Sequence, residues 1–597
     1  MEFRNGIRNA GKQNCSPRVE FSRSAHNWQG VGSPKGDQKR PKALRQNHMQ
    51  SGFTTGLSPT IAALLVTESI AASLDGGSPL YVVALDVRKA FDVVDHKHLL
   101  LKLYQQGIDS NCWHFIESNL RMSCKVRLDG SFGDTFPISQ GVGQGKVIAP
   151  FLYKCYINPL LQLLQSSGLG CHIGTTFLGC PTCADDIVLL ANSPSDLQAL
   201  IDLVSWYAAR ERYDIHPDKS VLVTYNIKRL DSVDISVNGK RLAVSKKATH
   251  LGIDRYTDKA CCDDFISDRI SLGRRTAYSL MGAGFHGVNG ISPAITVKIY
   301  QCYVIPRLLY GLESIVLSKK ENLMLERFHR KSLRELQSLP TRTAVCAVHL
   351  LSGTLPIEAL MDIQICSVLC NISVLEEHPL KDIGLHQLST VSTKSRSWFL
   401  YASIRLEKYN IDVLDILLGN LDKHETKHRI VTKWFQDLST EALSKTSLRL
   451  LDVDTCRPGK CHPVWAAVTC NKAETRQAII KAKLLTGTYM LQSTRSKYNQ
   501  YEVDPTCKLC GEEPEDLAHF LLSCPTLNIT RLKHLGPITI HIPQLSNLCP
   551  ETQIQTLLDP PTSLNFLETS RPVVEKLVNG FLYSMHCKRL LLLNQCS

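Results

Sequence analysis

Three aspartates stand where carboxylates are costly. Asp86 closes a short apolar run at 81–85, and Asp185 and Asp186 lie between the apolar flanks 182–184 and 187–190. An ionised carboxylate in apolar surroundings needs a compensating charge or strong hydrogen bonds. Adjacent residues of a regular strand point to opposite faces, whereas a tight hairpin turn at Asp185-Asp186 aims both near one point. If Asp86 arrives there on a neighbouring strand, three carboxylates converge. Such an oxygen-rich site suits Mg2+, which activates an attacking hydroxyl and stabilises a leaving phosphate. The plain alternative is a hairpin with a polar tip and an unrelated capping aspartate.

A second constellation is Cys507-x2-Cys510-x8-His519-x4-Cys524. Three thiolates and one imidazole satisfy tetrahedral Zn2+ and leave no open position, as in a structural site. Among 22 cysteines in 597 residues, roughly one C-x-x-C pair arises by chance, so His519 and Cys524 carry this prediction. Cys180 and Cys183 make another such pair without a second ligand pair nearby, and read as buried thiols. Between Lys472 and Lys497 lie six Lys/Arg and one Glu, with Tyr489 and Tyr498 close by. Basic side chains there can neutralise phosphates while an aromatic ring stacks on a base; an ordinary basic helix face has the same composition.

The elements that must carry these groups are legible in outline. Residues 61–74 show helical spacing and end at the turn cluster 75–79; 81–85 is a buried strand. Asp95 caps a helix with Leu99, Leu100, Leu103 and Tyr104 on one face, stopped by Gly107. Residues 126–128 and 134–138 flank Asp129-Gly130 as a hairpin, and the glycine-rich stretch 141–146 opens a helix over 150–164. Residues 171–190 read as two strands around a turn, and 197–207 as an amphipathic helix. Helical patterns dominate from 265 to about 500.

Taken together, these blocks resemble the non-LTR (LINE-type) retrotransposon reverse transcriptases. Residues 85–96, Leu-Asp-Val-Arg-Lys-Ala-Phe-Asp-Val-Val-Asp-His, look like that family's first palm motif. In family order follow Gln140-Gly141-Val142-Gly143-Gln144-Gly145 with Pro150, then Ala184-Asp185-Asp186, His216-Pro217-Asp218-Lys219-Ser220 and His250-Leu251-Gly252. Residues 51–58 resemble the preceding fingers segment, and the likeness spans about 50–375. It implies an α+β right-hand polymerase fold of fingers, palm and thumb, followed by a helical region and a small zinc knuckle. By resemblance the domains are a basic head without periodicity (1–48), fingers and palm (49–262), a thumb-like helical region (263–375), a helical connector with a basic stretch (376–500), a CCHC-type knuckle (501–530) and a C-terminal tail (531–597).

The resemblance also implies roles. Asp86 and Asp185 ligate two catalytic Mg2+ ions with Asp186 in support. Phe91 lies under the sugar of the incoming nucleotide and rejects a 2′-hydroxyl. Gln144 and Gly145 let backbone approach the nucleotide, Lys219 acts near the departing pyrophosphate, and Leu251 and Gly252 form the primer grip. Some positions depart from the pattern. Cys183 stands where an aromatic is usual, Gly143 and Lys146 stand where Arg and a small residue are common, and the fingers block lacks arginines seen in many relatives. No segment resembles the endonuclease that many relatives carry upstream, so a truncated member with weak extension is expected.

Composition agrees with a nucleic-acid enzyme. At 43% hydrophobic and 21% charged residues the chain is neither disordered throughout nor a coiled-coil rod. The net charge is +13, and residues 1–49 hold ten Lys/Arg against three acids, which suggests a polyanion partner, although for the head alone a solvated, disordered tail has the same composition. No apolar run reaches membrane-span length and the first 13 residues hold no signal h-region, so an intracellular, unsecreted, membrane-free protein is expected. As a ribonucleoprotein it would occupy nucleus and cytoplasm. The expected function is an RNA-directed DNA polymerase that uses an RNA template, a DNA primer or target, and dNTPs, with Mg2+ in the site and structural Zn2+ in the knuckle. The rivals are a decayed or domesticated remnant that binds nucleic acid without polymerising, and a two-metal nuclease. A nuclease has no use for the Phe91 and Gln144-Gly145 pocket.

Overall fold

The computed structural model describes residues 18–21, 46–54, 56–227, 234–257, 262–287, 289–375, 378–390, 394–469, 471–497, 502–560 and 571–596. They fall into two units, residues 1–258 with 374–398, and 259–373 with 399–597. The first unit runs β1 (Arg18–Phe21), α1 (Pro59–Gly76), β2 (Leu80–Leu85), α2 (His96–Gln105), α3 (Ser110–Leu120), β3 (Met122–Leu128), β4 (Ser131–Phe132), β5 (Phe136–Ile138) and α4 (Ala149–Ser166). It continues through β6 (His172–Ile173), β7 (Thr176–Phe177), β8 (Thr182–Cys183), β9 (Asp186–Ala191), α5 (Pro194–Glu211), β10 (Val221–Tyr225), β11 (Ser236–Val237), β12 (Lys240–Arg241), β13 (Lys247–His250) and β14 (Ile253–Tyr256).

Its centre is an antiparallel sheet in the order β10–β2–β9–β8. β2 and β9 are nearly continuous apolar runs because helices cover the sheet and leave no face for polar residues. Leu80, Val82, Val188, Leu190, Val223 and Tyr225 pack with Val66 of α1 on one side, and α5 lies against β9. Local chemistry places the boundaries. Gly77 ends α1 in the left-handed conformation, φ 67°. Asp95 caps α2 by accepting from the backbone of Lys97 and His98. Asp129-Gly130, both at positive φ, make the two-residue turn between β3 and β4.

Several expectations are corrected. Tyr104 is 73% exposed, so the buried face of α2 is Leu99 and Leu103 with Lys102, whose Nζ lies 2.7 Å from Glu211 Oε1. Residues 171–190 form two short hairpins, because the chain turns at Gly174 as well as before Asp186. The head does contain a strand: Arg18–Phe21 pairs antiparallel with β3, from Arg18↔Arg127 to Phe21↔Cys124. A four-residue edge strand needs backbone partners more than apolar periodicity, which is why the composition of 1–48 concealed it. The rest of the head up to residue 45 lies outside the described residues.

The connector is not one module either. Residues 374–398 fold with the first unit, where Glu68 of α1, fully buried, accepts from Ser397 Oγ at 2.9 Å and the Trp398 amide at 2.6 Å.

The second unit is helical. Ser318 and Glu321 form a capping box that starts Lys319–Leu336, and Ile357–Ser373 packs on both that helix and Lys423–Leu443. Lys472–Leu485 and Asn528–His541 pack on the C-terminal helix Arg571–Cys596. The Cys/His segment lies within this same unit, held by a buried bidentate pair between Arg589 and Glu515 at 2.6 and 2.7 Å. Among the described residues no single helix is long and apolar enough to cross a membrane; one bent pair, Val345–Ser352 with Ile357–Ser373, passes that test by length and composition only.

Candidate functional site

Strand register brings the aspartates together. Leu85 pairs with Ile187, so Asp86, one residue beyond β2, emerges beside Asp186 at the start of β9. Asp185 sits on the turn between β8 and β9, whose two central residues are Ala184 and Asp185 rather than the expected Asp185-Asp186; Cys183 pairs with Asp186 across it. Ala184 reaches φ 59°, the left-handed region that a non-glycine residue enters only under constraint.

The electrostatics report the convergence. Partial burial pushes the Asp186 carboxyl up to about 6, with Asp185 and then Asp86 adding to the shift. Asp185 is raised by burial and by Asp86. Like charges sharing a partly desolvated site disfavour ionisation unless a cation joins them. Lys219, just before β10 on the other side of β2, brings its Nζ to 3.6 Å from Asp86 Oδ2. The Asp86 carbonyl accepts from His216 N at 2.8 Å, fixing the end of the strand. Three carboxylates and an ammonium at one sheet end can hold divalent cations and an anionic ligand.

Beside them, Phe91 is half-buried, stacked on Tyr153 with centroids 4.6 Å apart and planes at 21°; Phe53 meets it edge-on at 6.4 Å. The segment 91–94 is zipped to the glycine-rich stretch by Val142 N to Phe91 O and Gly141 N to Val94 O, both at 2.8 Å. Gly141, at φ 90°, permits this, since a Cβ there would stand 2.7 Å from the Asp92 carbonyl. Gln144 is exposed and donates to Asp92 Oδ1 at 3.1 Å, and Gly145 faces open space. Lys146 turns aside: its Nζ reaches Met122 Sδ at 2.8 Å and the Asn119 carbonyl at 3.5 Å. Leu251 and Gly252, at φ 54° and 71°, are the central residues of the β13–β14 hairpin, with His250 paired to Ile253.

One contributor carried no sequence signal. The buried Gln50 side chain accepts from the Ala184 amide at 2.7 Å and donates to the Ala184 carbonyl at 3.3 Å. Its neighbour Ser51 donates its backbone N–H to Thr182 O at 2.8 Å. Gln50 lies 134 residues from its partner, and no local pattern marks it.

In the second unit, Cys507, Cys510, His519 and Cys524 bring one ligand atom each to within 4.8 Å of one another. His519 Nε2 lies 3.3 Å from Cys510 Sγ, while Nδ1 faces Glu513 Oε2 at 3.0 Å. A carboxylate on Nδ1 leaves Nε2 free to ligate, the arrangement that orients metal-bound imidazoles. Burial pushes the Cys507 thiol up to about 12, whereas backbone donors help to draw Cys510 below the usual thiol range. The donor set fits zinc.

Two members of the basic stretch are withdrawn from it, while Lys472, Arg476, Arg495 and Lys497 remain exposed. Lys481 is buried and paired with Glu575 at 2.5 Å. Tyr489 is buried too, stacked on Phe520 with its hydroxyl 2.8 Å from His586 Nδ1. Both serve the interior, because Lys472–Leu485 is packed against Arg571–Cys596. Tyr498 lies outside the described residues, as does Thr55 of the fingers block.

Residues 38–254 match the family described as "Reverse transcriptase (RNA-dependent DNA polymerase)", a span that begins inside the supposed head. The chain is 26% identical over 294 residues to a "Retrovirus-related Pol polyprotein from type-1 retrotransposable element R2" of Popillia japonica, covering 46% of this chain and 39% of that protein. It is 26% identical over 264 residues to the "RNA-directed DNA polymerase from mobile element jockey" of Drosophila funebris, covering 43% and 28%. The chain thus spans less than half the length of these relatives. A telomerase structure from Candida tropicalis is 13% identical with a TM-score of 0.27, over 35% of this chain and 39% of that one. Over residues 38–254 this chain is similar to the reverse transcriptases, and the relatives it resembles include those of the R2 and jockey mobile elements.

Proposed function

We propose that this chain is an RNA-directed DNA polymerase that joins dNTPs to a primer 3′-hydroxyl on an RNA template. The observation that carries the reading is the register that sets Asp86 beside Asp186, with Asp185 on the intervening turn. Two Mg2+ ions bound to these carboxylates would activate the primer hydroxyl and neutralise charge on the triphosphate. The remaining work falls to positioning by the protein's own groups. Phe91, backed by Tyr153, closes the space beside the sugar's 2′ position. Gly145 leaves room for nucleotide and template at the backbone. Lys219 is close enough to Asp86 to meet a departing pyrophosphate and donate a proton to it. The β13–β14 turn at Leu251-Gly252 supplies a rigid backbone edge for the primer terminus. Zn2+ on Cys507, Cys510, His519 and Cys524 would hold the local loop structure of the helical unit.

The deciding experiment is primer extension on an RNA template with Mg2+ and either dNTPs or rNTPs. Template-dependent dNTP incorporation is expected. Tight RNA binding without extension would replace the polymerase with a binding remnant, and strand cleavage without extension would favour a nuclease.

A further inference from the structure

The turn that carries Asp185 is held from outside its own hairpin. Gln50 is 1% exposed. Its Oε1 accepts from Ala184 N at 2.7 Å and from Gly52 N at 2.8 Å, and its Nε2 donates to Ala184 O at 3.3 Å. One side-chain amide thus satisfies both the N–H and the C=O of Ala184, as a neighbouring strand would. The backbone around Gln50 continues the pairing: Ser51 N donates to Thr182 O and Thr182 N donates to Met49 O, each at 2.8 Å. Gly52 closes the contact, since a Cβ there would lie 2.3 Å from Ala184 N. The segment is anchored in turn to α4, where Asn158 accepts from the Asn47 backbone at 2.7 Å.

Ala184 needs such a partner. A non-glycine residue in the left-handed region is strained, and leaving its buried peptide groups unpaired adds a desolvation cost. Without the amide, the peptide on either side of Ala184 can rotate out of the turn. That rotation would carry the Asp185 carboxylate away from Asp86 and Asp186.

We propose that Gln50 is a positioning residue for nucleotidyl transfer: by pairing with both polar groups of Ala184 it locks the turn that presents Asp185 to the metal-binding carboxylates. Glutamine suits the role because it alone of its size offers one donor and one acceptor side by side. An ionised glutamate cannot donate to the Ala184 carbonyl and would bury a charge, and methionine, which fills the volume with neither group, is the decisive variant. The role rests on the polymerase reading, although its metal-binding consequence can be measured without polymerisation.

The test compares the full chain with Gln50→Met, Gln50→Glu and Ile201→Ala, the last a fully buried core residue of α5 that serves as a control for general destabilisation. Mn2+ binding is followed by electron paramagnetic resonance of the free ion, extension by single-nucleotide kcat and KM, and folded fraction by thermal melting. Both Gln50 variants should weaken Mn2+ binding about 10- to 100-fold per folded molecule, the range expected when support for a ligand is lost. Their kcat should fall in the same range, with KM for dNTP near wild type. Ile201→Ala should lower the melting temperature without moving either quantity per folded molecule. Wild-type Mn2+ affinity and kcat in folded Gln50 variants would overturn the proposal, as would losses that merely track the folded fraction or variants that do not fold at all. A wild-type chain that binds Mn2+ but extends no primer would remove the polymerase reading, and the Mn2+ shift would still decide the role of Gln50. Absence of Mn2+ binding by the wild-type chain would remove both.

Discussion

At the scale of single residues, the proposed function assigns metal binding to the carboxylates and shape to their neighbours, and substitutions should separate the two. Asp185→Asn keeps the turn and the size of the side chain but removes a charged ligand. Extension should vanish, whereas RNA affinity measured by filter binding or fluorescence anisotropy should change little, because no phosphate contact is lost. Mutant extension at the wild-type rate would sink the carboxylate assignment. On the same proposal Phe91 acts by volume. Its ring is fixed by the stack on Tyr153, so Phe91→Ala should open the space beside the 2′ position and raise ribonucleotide incorporation relative to deoxynucleotide by about tenfold or more. An unchanged ratio would make Phe91 a core residue only. A smaller rise in ribonucleotide incorporation for Tyr153→Leu would show that the stack sets the position of the Phe91 ring.

Elements contribute through constraints that individual side chains do not reveal. Leu251 and Gly252 both occupy the left-handed region in a two-residue turn. Gly252→Val should cost about 1–2 kcal/mol in that hairpin and shorten extension products on a long template, while Mn2+ binding at the aspartates stays intact. Products of wild-type length would mean that the turn has no part in holding the primer.

Glu68 of α1 offers a second measurable constraint. Burial pushes its carboxyl from 4.5 to about 7. A folded value above the unfolded one favours the protonated folded state, so the stabilisation is full below about 4.5 and is lost as pH rises through 7. The total is of order 3 kcal/mol. Denaturant melts between pH 5 and 8 should show the wild-type chain losing stability with rising pH, and Glu68→Gln flattening that slope. An unaltered slope would assign it to other groups.

For the whole molecule, the Cys/His cluster belongs to the helical unit instead of standing as a free knuckle. Its surroundings are tied by Arg589–Glu515 and by Arg531, which donates to the carbonyls of Leu521 and Cys524 at 2.9 Å each. Metal binding there should therefore act on stability beyond the 507–524 loop. One zinc per chain is expected by elemental analysis. Chelation, or Cys507→Ser, should lower the melting temperature by several degrees. Mn2+ binding at the aspartates, which lie in the other unit, should persist. Zinc-free protein with unchanged melting would make the four residues an accidental cluster.

How much of this was legible beforehand follows the range of the forces involved. The apolar run before Asp86, the Asp95 cap, the Asp129-Gly130 turn and the spacing of Cys507, Cys510, His519 and Cys524 depend on neighbours within a few residues or one loop, and the sequence by itself determined them. That Asp86 and Asp186 meet depends on the pairing of Leu85 with Ile187, and that Asp185 is held in place depends on Gln50, 134 residues from Ala184. Lys481 counts among six basic residues between Lys472 and Lys497, and Tyr489 as an aromatic near them, until Glu575 and Phe520 are seen to hold the two inside. Residues 374–398 read as connector until buried Glu68 receives Ser397 and Trp398. Local chemistry settles those caps and turns whose partners lie within a few residues, and which residues can bind a metal. Only tertiary contact supplies the distant partner that satisfies a buried polar group, and so decides which side chains serve the site and which serve the core.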